Sequence, residues 1–273
     1  MTEMRDVAAR EMKIGFRNPW AYSFTALFAL FMLSLLFINA QGYVTGYSGS
    51  SSTMLNLALY LLPLMALMLG SFSLTGEKEE GNWALLSTYP LGTWAFLTGK
   101  YTGLAIVLLA IVTFGFGLSG AVGSLLGGGF NFATYGQLFV FSLSLSFLFL
   151  GVALLIGTIA HNRWQALTIG VGIWFFAIIA WPSILIAALG MMPYTWIKPA
   201  LTVLTFLNPA ELTRLFTVVK LGGGSTLGPE YYNWMLWIRS PWGTPVFIGV
   251  LVLWIGTALT IAYRLWERER RRG

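Results

Sequence analysis

The chain has 273 residues, of which 57% are hydrophobic, 16% aromatic and only 10% charged, whereas about a quarter of a soluble domain is charged. That leaves too little polar surface for an ordinary soluble fold. Cysteine is absent, which excludes a disulfide, a thiolate metal site or a thiol relay within the chain. A net charge of +6 would suit nucleic acid, but the placement of the basic residues points to a membrane instead.

Residues 1–19 form a polar, basic lead in which Met4, Val7, Ala8, Met12 and Ile14 are spaced like one face of a helix. Arg5, Arg10, Lys13 and Arg17 lie among them, which predicts an amphipathic helix for the membrane interface and an added docking surface. A solvated leader that only orients insertion fits as well. The apolar run 20–40 is about 31 Å long as a helix and spans, where the core of a cleaved signal would be shorter.

Five more runs follow, at 54–74, 101–126, 135–160, 166–189 and 243–263. Each reaches the roughly 20 residues that a bilayer requires. The predicted fold is an all-α integral membrane protein forming one transmembrane domain of six spanning helices. It carries an N-terminal interface helix, a cytosolic coupling helix after the second span and short outer helices before the sixth. Pro63 and Pro182 fall inside two runs and predict kinks whose freed carbonyls need partners nearby.

Between the second and third runs, segment 75–100 places Glu77, Lys78, Glu79 and Glu80 in a row. Gly81 suits the end of a helix, because glycine takes the left-handed conformation without a Cβ clash. Asn82 can cap a second, short helix with Trp83, Leu85 and Leu86 on its apolar side; Pro90 stops it, and Thr93 caps the segment running through Lys100. The expectation is a rigid charged elbow by which another protein moves this one. The competing reading is a turn kept in water by its charges.

Lysine and arginine placement sets the orientation. With the N-terminus inside, the cytosolic segments, including Arg163 in the 161–165 turn and the tail 264–273, hold 12 of the 16 basic residues. The outer loops 41–53 and 119–134 carry no charge. Both termini are therefore expected in the cytosol. The remaining Lys198, Arg214, Lys220 and Arg239 lie in the outer segment 190–242, which is too long for a simple connector. Its apolar stretches 196–207 and 210–221 are split by Asn208-Pro209, a cap followed by a first-turn proline, and precede Gly222, Gly223 and Gly224. They read as re-entrant or interfacial helices that need cover from a partner subunit or lipid, with Leu204, Asn208, Pro209 and Arg214 as candidate contacts.

None of the six runs contains Asp, Glu, Lys, Arg or His, which removes the usual carriers of proton coupling and the residues of intramembrane hydrolysis. The sole histidine, His161, reads as a surface contact rather than a metal ligand. Gly92 to Gly99-Lys100 imitates a phosphate loop, but its glycines are misplaced and Tyr101 stands where Ser or Thr would bind magnesium. Met65, Met68, Met191 and Met192 read as packing filler rather than a copper path, so no metal site is assigned. Ser142 with Ser146, and Gly99 with Gly103, read as close-packing positions.

Acidic residues before Gly81, the Leu85-Leu86 pair, Pro90, Gly99 and Lys100 resemble the second cytosolic segment of type-2 ABC transporter permeases. The fuller run from Leu85 through Ser87, Thr88, Tyr89, Pro90, Leu91 and Gly92, with Leu207, Asn208, Pro209 and Arg214, is similar to the NosY-like permeases linked to maturation of copper enzymes such as nitrous oxide reductase. The resemblance implies a permease subunit in a bacterial or archaeal cytoplasmic membrane. It implies a separate cytosolic ATPase carrying ATP and magnesium, a second copy of this chain, a periplasmic accessory protein, lipid contacts and no nucleic acid. Two other readings stay open from the residues themselves: a stand-alone channel or secondary carrier, and a structural or assembly subunit of a membrane complex.

Overall fold

The computed structural model describes residues 2–38, 47–81, 92–125 and 131–270. These form helices α1 (Thr2–Arg17), α2 (Pro19–Ile38), α3 (Gly49–Glu79), α4 (Thr93–Leu125), α5 (Phe132–Ile159) and α6 (Arg163–Trp174). A π-helical turn at Phe175–Ala180 leads into α7 (Trp181–Gly190), followed by α8 (Tyr194–Leu207), α9 (Pro209–Lys220), α10 (Tyr232–Arg239) and α11 (Gly243–Arg270). There is no strand among the described residues. Six helices are long and apolar enough to cross a membrane, the fifth being α6, the π turn and α7 taken together.

The helices outrun the apolar sequence runs. The second candidate span is Gly49–Glu79 rather than 54–74, and the third begins at Thr93 rather than 101. Half of the expected elbow 75–100, residues 75–79 and 93–100, is therefore the end of α3 and the start of α4. A hydropathy run stops at its first charge, but a helix continues wherever the charge finds a partner. Gly81, at φ +71°, follows α3 in the left-handed conformation that suits glycine. Asn82, Trp83, Leu85, Leu86 and Pro90, and with them the expected short helix, lie outside the described residues.

The core is a lengthwise pairing of α3 with α5, flanked by α4, α6 and α11. Small residues allow the close approach: a Cβ added at Gly70 would lie 2.6 Å from that of Ala153. Helix α1 lies along α4 and turns a stripe of Val7, Glu11 and Gly15 inward. Gly103 sits directly beneath it, where a Cβ would lie 2.6 Å from the Ala8 carbonyl oxygen. The amphipathic lead is thus a packed part of the bundle.

Just before Pro182 the fifth span leaves α-helical register for the π turn. In its wider register the Trp181 N–H bonds the Phe176 carbonyl. The next partner in that register, for the Ala177 carbonyl, would be residue 182, and proline has no N–H to give. The Asn208 side chain donates to that carbonyl instead, at 2.6 Å. Its Oδ1 meanwhile accepts from Ala210 N at 3.1 Å, capping α9.

Candidate functional site: the charged end of the bundle

Four consecutive residues, Glu77 to Glu80, close α3, and between them they reach four other helices. Glu77 turns inward, where its Oε1 lies 3.2 Å from Lys100 Nζ on α4 and 3.1 Å from an Arg10 nitrogen on α1. Neither Glu77 oxygen makes an aligned hydrogen bond, so attraction of charge rather than directed bonding holds it. Lys78 donates to the carbonyls of Thr158, at 2.6 Å, and Ala160, at 3.0 Å. These are among the last carbonyls of α5, where a cation meets the negative end of the helix dipole.

Glu79 does the converse at the next helix. Its Oε1 accepts from the Arg163 backbone N–H at 2.8 Å and its Oε2 lies 3.2 Å from the Arg163 guanidinium. A carboxylate is thereby placed at the positive end of α6, which Asn162 also caps by accepting from Gln165 N at 2.8 Å. Glu80 adds a weaker approach to Arg163 at 3.8 Å. Two adjacent side chains of opposite sign thus grip the turn between α5 and α6 from both sides. His161 is exposed in that turn, its ring beside Gln165.

The centre of the cluster is Lys100, fully buried, with Nζ 2.5 Å from Glu11 Oε1 and 2.8 Å from Ser73 Oγ. Glu11 is 2% exposed and its other oxygen accepts from Ser73 at 2.8 Å. One ammonium therefore joins α1, α3 and α4. Sequence reasoning did not single out Glu11 or give Lys100 this role. The signal for Glu11 was present: it falls on the same helical face as Met4, Val7, Ala8 and Gly15, and a carboxylate on an apolar face needs a buried partner. Of the basic residues predicted for the interface, Arg10 is drawn into the cluster, while Arg5, Lys13 and Arg17 stay exposed.

Away from this cluster, Asn208 is buried and engaged within the chain, beside the π turn in the middle of the fifth span. Arg214 Nε lies 2.9 Å from the buried Glu211 carboxylate one turn before it. Burial works against the Arg214 charge, but hydrogen bonding and proximity to Glu211 outweigh it and hold its pKa above the ordinary value. Leu204 is half-buried, and Pro209 opens α9, a helix largely covered by this chain itself. Cover for α9 thus comes from within. Helix α8 differs, burying only Leu201 and Thr205, with Trp196 and Val203 turned outward.

The arrangement offers no catalytic chemistry among the described residues. What it offers is mechanical: a short turn rigidly tied to α1, α4, α5 and α6. Residues 5–271 match the family described as "ABC-2 family transporter protein". Two relatives carry the name "Probable ABC transporter permease protein NosY". That of Stutzerimonas stutzeri is 29% identical over 278 residues, covering 98% of this chain and 99% of the relative. That of Pseudomonas aeruginosa is 29% identical over 277 residues, covering 96% and 97%. Family membership implies an ATPase partner and typically a dimer. The chain belongs to the ABC-2 transporter family and is a multi-pass membrane permease subunit of an ABC transporter.

Proposed function

We propose that two copies of this chain form a permease driven by separate ATPases docked at the charged end of the bundle. In this reading that end and both termini face the cytosol of a bacterial or archaeal cell, across its cytoplasmic membrane. ATP and magnesium bind the ATPase. Residues 82–91, with Trp83, Leu85, Leu86 and Pro90, enter its groove. One observation carries the reading: the turn just before that segment, from Glu77 to Glu80, is bonded to four other helices. A displacement delivered beyond Gly81 is therefore passed to α1, α4, α5 and α6 at once rather than absorbed by a loop. The carboxylates Glu79 and Glu80 act through Arg163 in this scheme. Contact with the ATPase falls to the segment beyond them.

The cargo follows the resemblance to NosY-like permeases: delivery of a component for maturation of a copper enzyme outside the membrane. The outward-facing side of α8, together with Leu204, is the surface offered to a periplasmic accessory protein. The test is copurification of the ATPase and its stimulated hydrolysis. Leu86→Arg should release the ATPase. Glu79→Lys should keep it bound but lose stimulation, and adding Arg163→Glu should restore most of it. Full stimulation in both single variants would refute the reading. Orientation is checked separately with a cysteine at Ser225, which should be labelled from outside; labelling only from the cytosol would overturn the topology.

A further inference from the structure

Between α1, the start of α2 and the last turns of α3 lies an open cleft of about 460 Å³. Its two ends differ in chemistry. Toward the spans it is walled by Trp20, Leu69, Phe72 and Leu104, with the Trp20 ring edge-on to Phe72 at 6.3 Å. Toward the charged end its lining includes three arginines, Arg10, Arg17 and Arg163, and three glutamates, Glu11, Glu77 and Glu80. An apolar wall running into a charged mouth, beside the first residues of a spanning helix, matches a molecule that is itself half apolar and half charged.

The charges narrow the choice further. Glu11 and Glu77 are buried and bound by Lys100 from beneath. The groups facing a ligand are the half-exposed Arg10 and Arg163, the exposed Arg17, and the Glu80 carboxylate, 63% exposed. No carboxylate among the described residues pairs with Arg17. Arginines match the geometry of a phosphate, and a carboxylate that of an ammonium. Arg10 is offset by Glu77, Lys100 by Glu11 and Arg163 by Glu79, so with Arg17 and Glu80 the charges around the cleft sum to zero and do not prefer a purely anionic ligand. The cleft suits a headgroup and is too small for two acyl chains, which would leave it over Trp20 and Phe72.

We propose that this cleft is a binding site for one ethanolamine phospholipid of the adjoining leaflet, its phosphate held by Arg17 and Arg10 and its ammonium by Glu80. The cleft shares Glu80 and Arg163 with the turn that carries the proposed coupling, but lipid retention is read on the chain without its ATPase, so its failure is distinguishable from failure of that reading. Choline phospholipid has no N–H to donate to Glu80, and glycerol phospholipid has no cation. The purified full-length chain in mild detergent, titrated with dioleoyl phosphatidylethanolamine, phosphatidylcholine or phosphatidylglycerol, should retain one ethanolamine lipid per chain in native mass spectra. It should do so about fivefold better than the other two.

Arg17→Gln should weaken retention of all three lipids. Glu80→Gln should erase the preference while leaving retention itself, and Arg264→Gln, an exposed cation at the same end but outside the cleft, should change neither. Equal retention of the three lipids by the wild type would overturn the proposal, as would a loss in Arg264→Gln matching that in Arg17→Gln. Displacement of the lipid by an equal concentration of free phosphoethanolamine would show instead that the cleft holds a soluble phosphate compound. Should Arg17→Gln fail to fold, lipid selectivity in the wild type and Glu80→Gln decides the matter.

Discussion

Replacing Lys100 with methionine tests the centre of the charged cluster. The side chain becomes one atom shorter and loses its charge and N–H donors, while its apolar stem keeps much of the packing. The partners fare worse. Glu11, 2% exposed, keeps only the Ser73 hydroxyl at 2.8 Å, and Glu77 keeps only Arg10 at 3.1 Å. Removing one member of a buried ion pair costs about 3–5 kcal/mol, because the other is left desolvated and uncompensated. The surviving Ser73 and Arg10 contacts place Lys100→Met at the lower end, about 3 kcal/mol. Removing both charges is a different matter, since an apolar pair of similar volume is often neutral relative to the ion pair. Lys100→Met with Glu11→Met should therefore recover about 2 kcal/mol, a strong departure from additivity. Equilibrium unfolding in mixed detergent micelles, followed by helical circular dichroism, measures both. A single variant within about 0.5 kcal/mol of wild type, or a double variant as unstable as the sum of the singles, would show that the cluster is not a buried ionic centre.

Asn208 performs two jobs that substitution separates. Asn208→Asp keeps the α9 cap but cannot donate to Ala177, and Asn208→Leu loses both; unfolding should show losses of about 1–2 and 2–3 kcal/mol respectively. Gly103→Ala improves helix propensity in α4 but sets a Cβ 2.6 Å from the Ala8 carbonyl oxygen, so α1 should lift away and gain amide hydrogen exchange while α4 stays protected. Gly81→Ala meets no atom within 4 Å, so its cost is the left-handed backbone alone, about 1 kcal/mol in the same unfolding assay. Gly92→Ala, equally free of neighbours and without positive φ, should cost nothing measurable.

The spans were legible because run length is a coarse quantity and charge-free runs are rare. Their ends were not, because a sequence window cannot tell a charge that stops a helix from one that finds its partner. Glu77 and Lys100 were placed outside the second and third runs, yet both belong to the spanning helices, joined through space by their opposite charges. Lys100 drew notice as part of the family resemblance and of a failed phosphate loop, but not as the centre of a buried cluster. Pro182 shows the same limit from another side. Its missing N–H is visible in the sequence, and so is the cap at Asn208. That the second repairs the first depends on the π turn bringing residues 31 positions apart to 2.6 Å, which no local pattern encodes. For α9 the expected outside cover proved unnecessary, since Phe216 stacks on Phe247 of α11 at 4.1 Å within the same chain.

Where the charges sit also bears on how such a bundle can move. Lipid tails are as apolar as leucine, so apolar side chains along the spans do little to choose one neighbour over another. Buried ion pairs add little net stability over apolar packing, but they penalise wrong pairings severely. Those two facts together assign the identity and register of helix neighbours to a few polar contacts: to Lys100, Lys78 and Glu79 at the charged end, and to Asn208 at the π turn in the middle of the fifth span. Beyond these contacts α3 and α5 meet through apolar and small residues, as at Gly70 and Ala153. Tilting or sliding there exchanges one apolar contact for another at small cost. A bundle pinned at its charged end and at the π turn, and apolar elsewhere, can be driven from that end without losing its pairing.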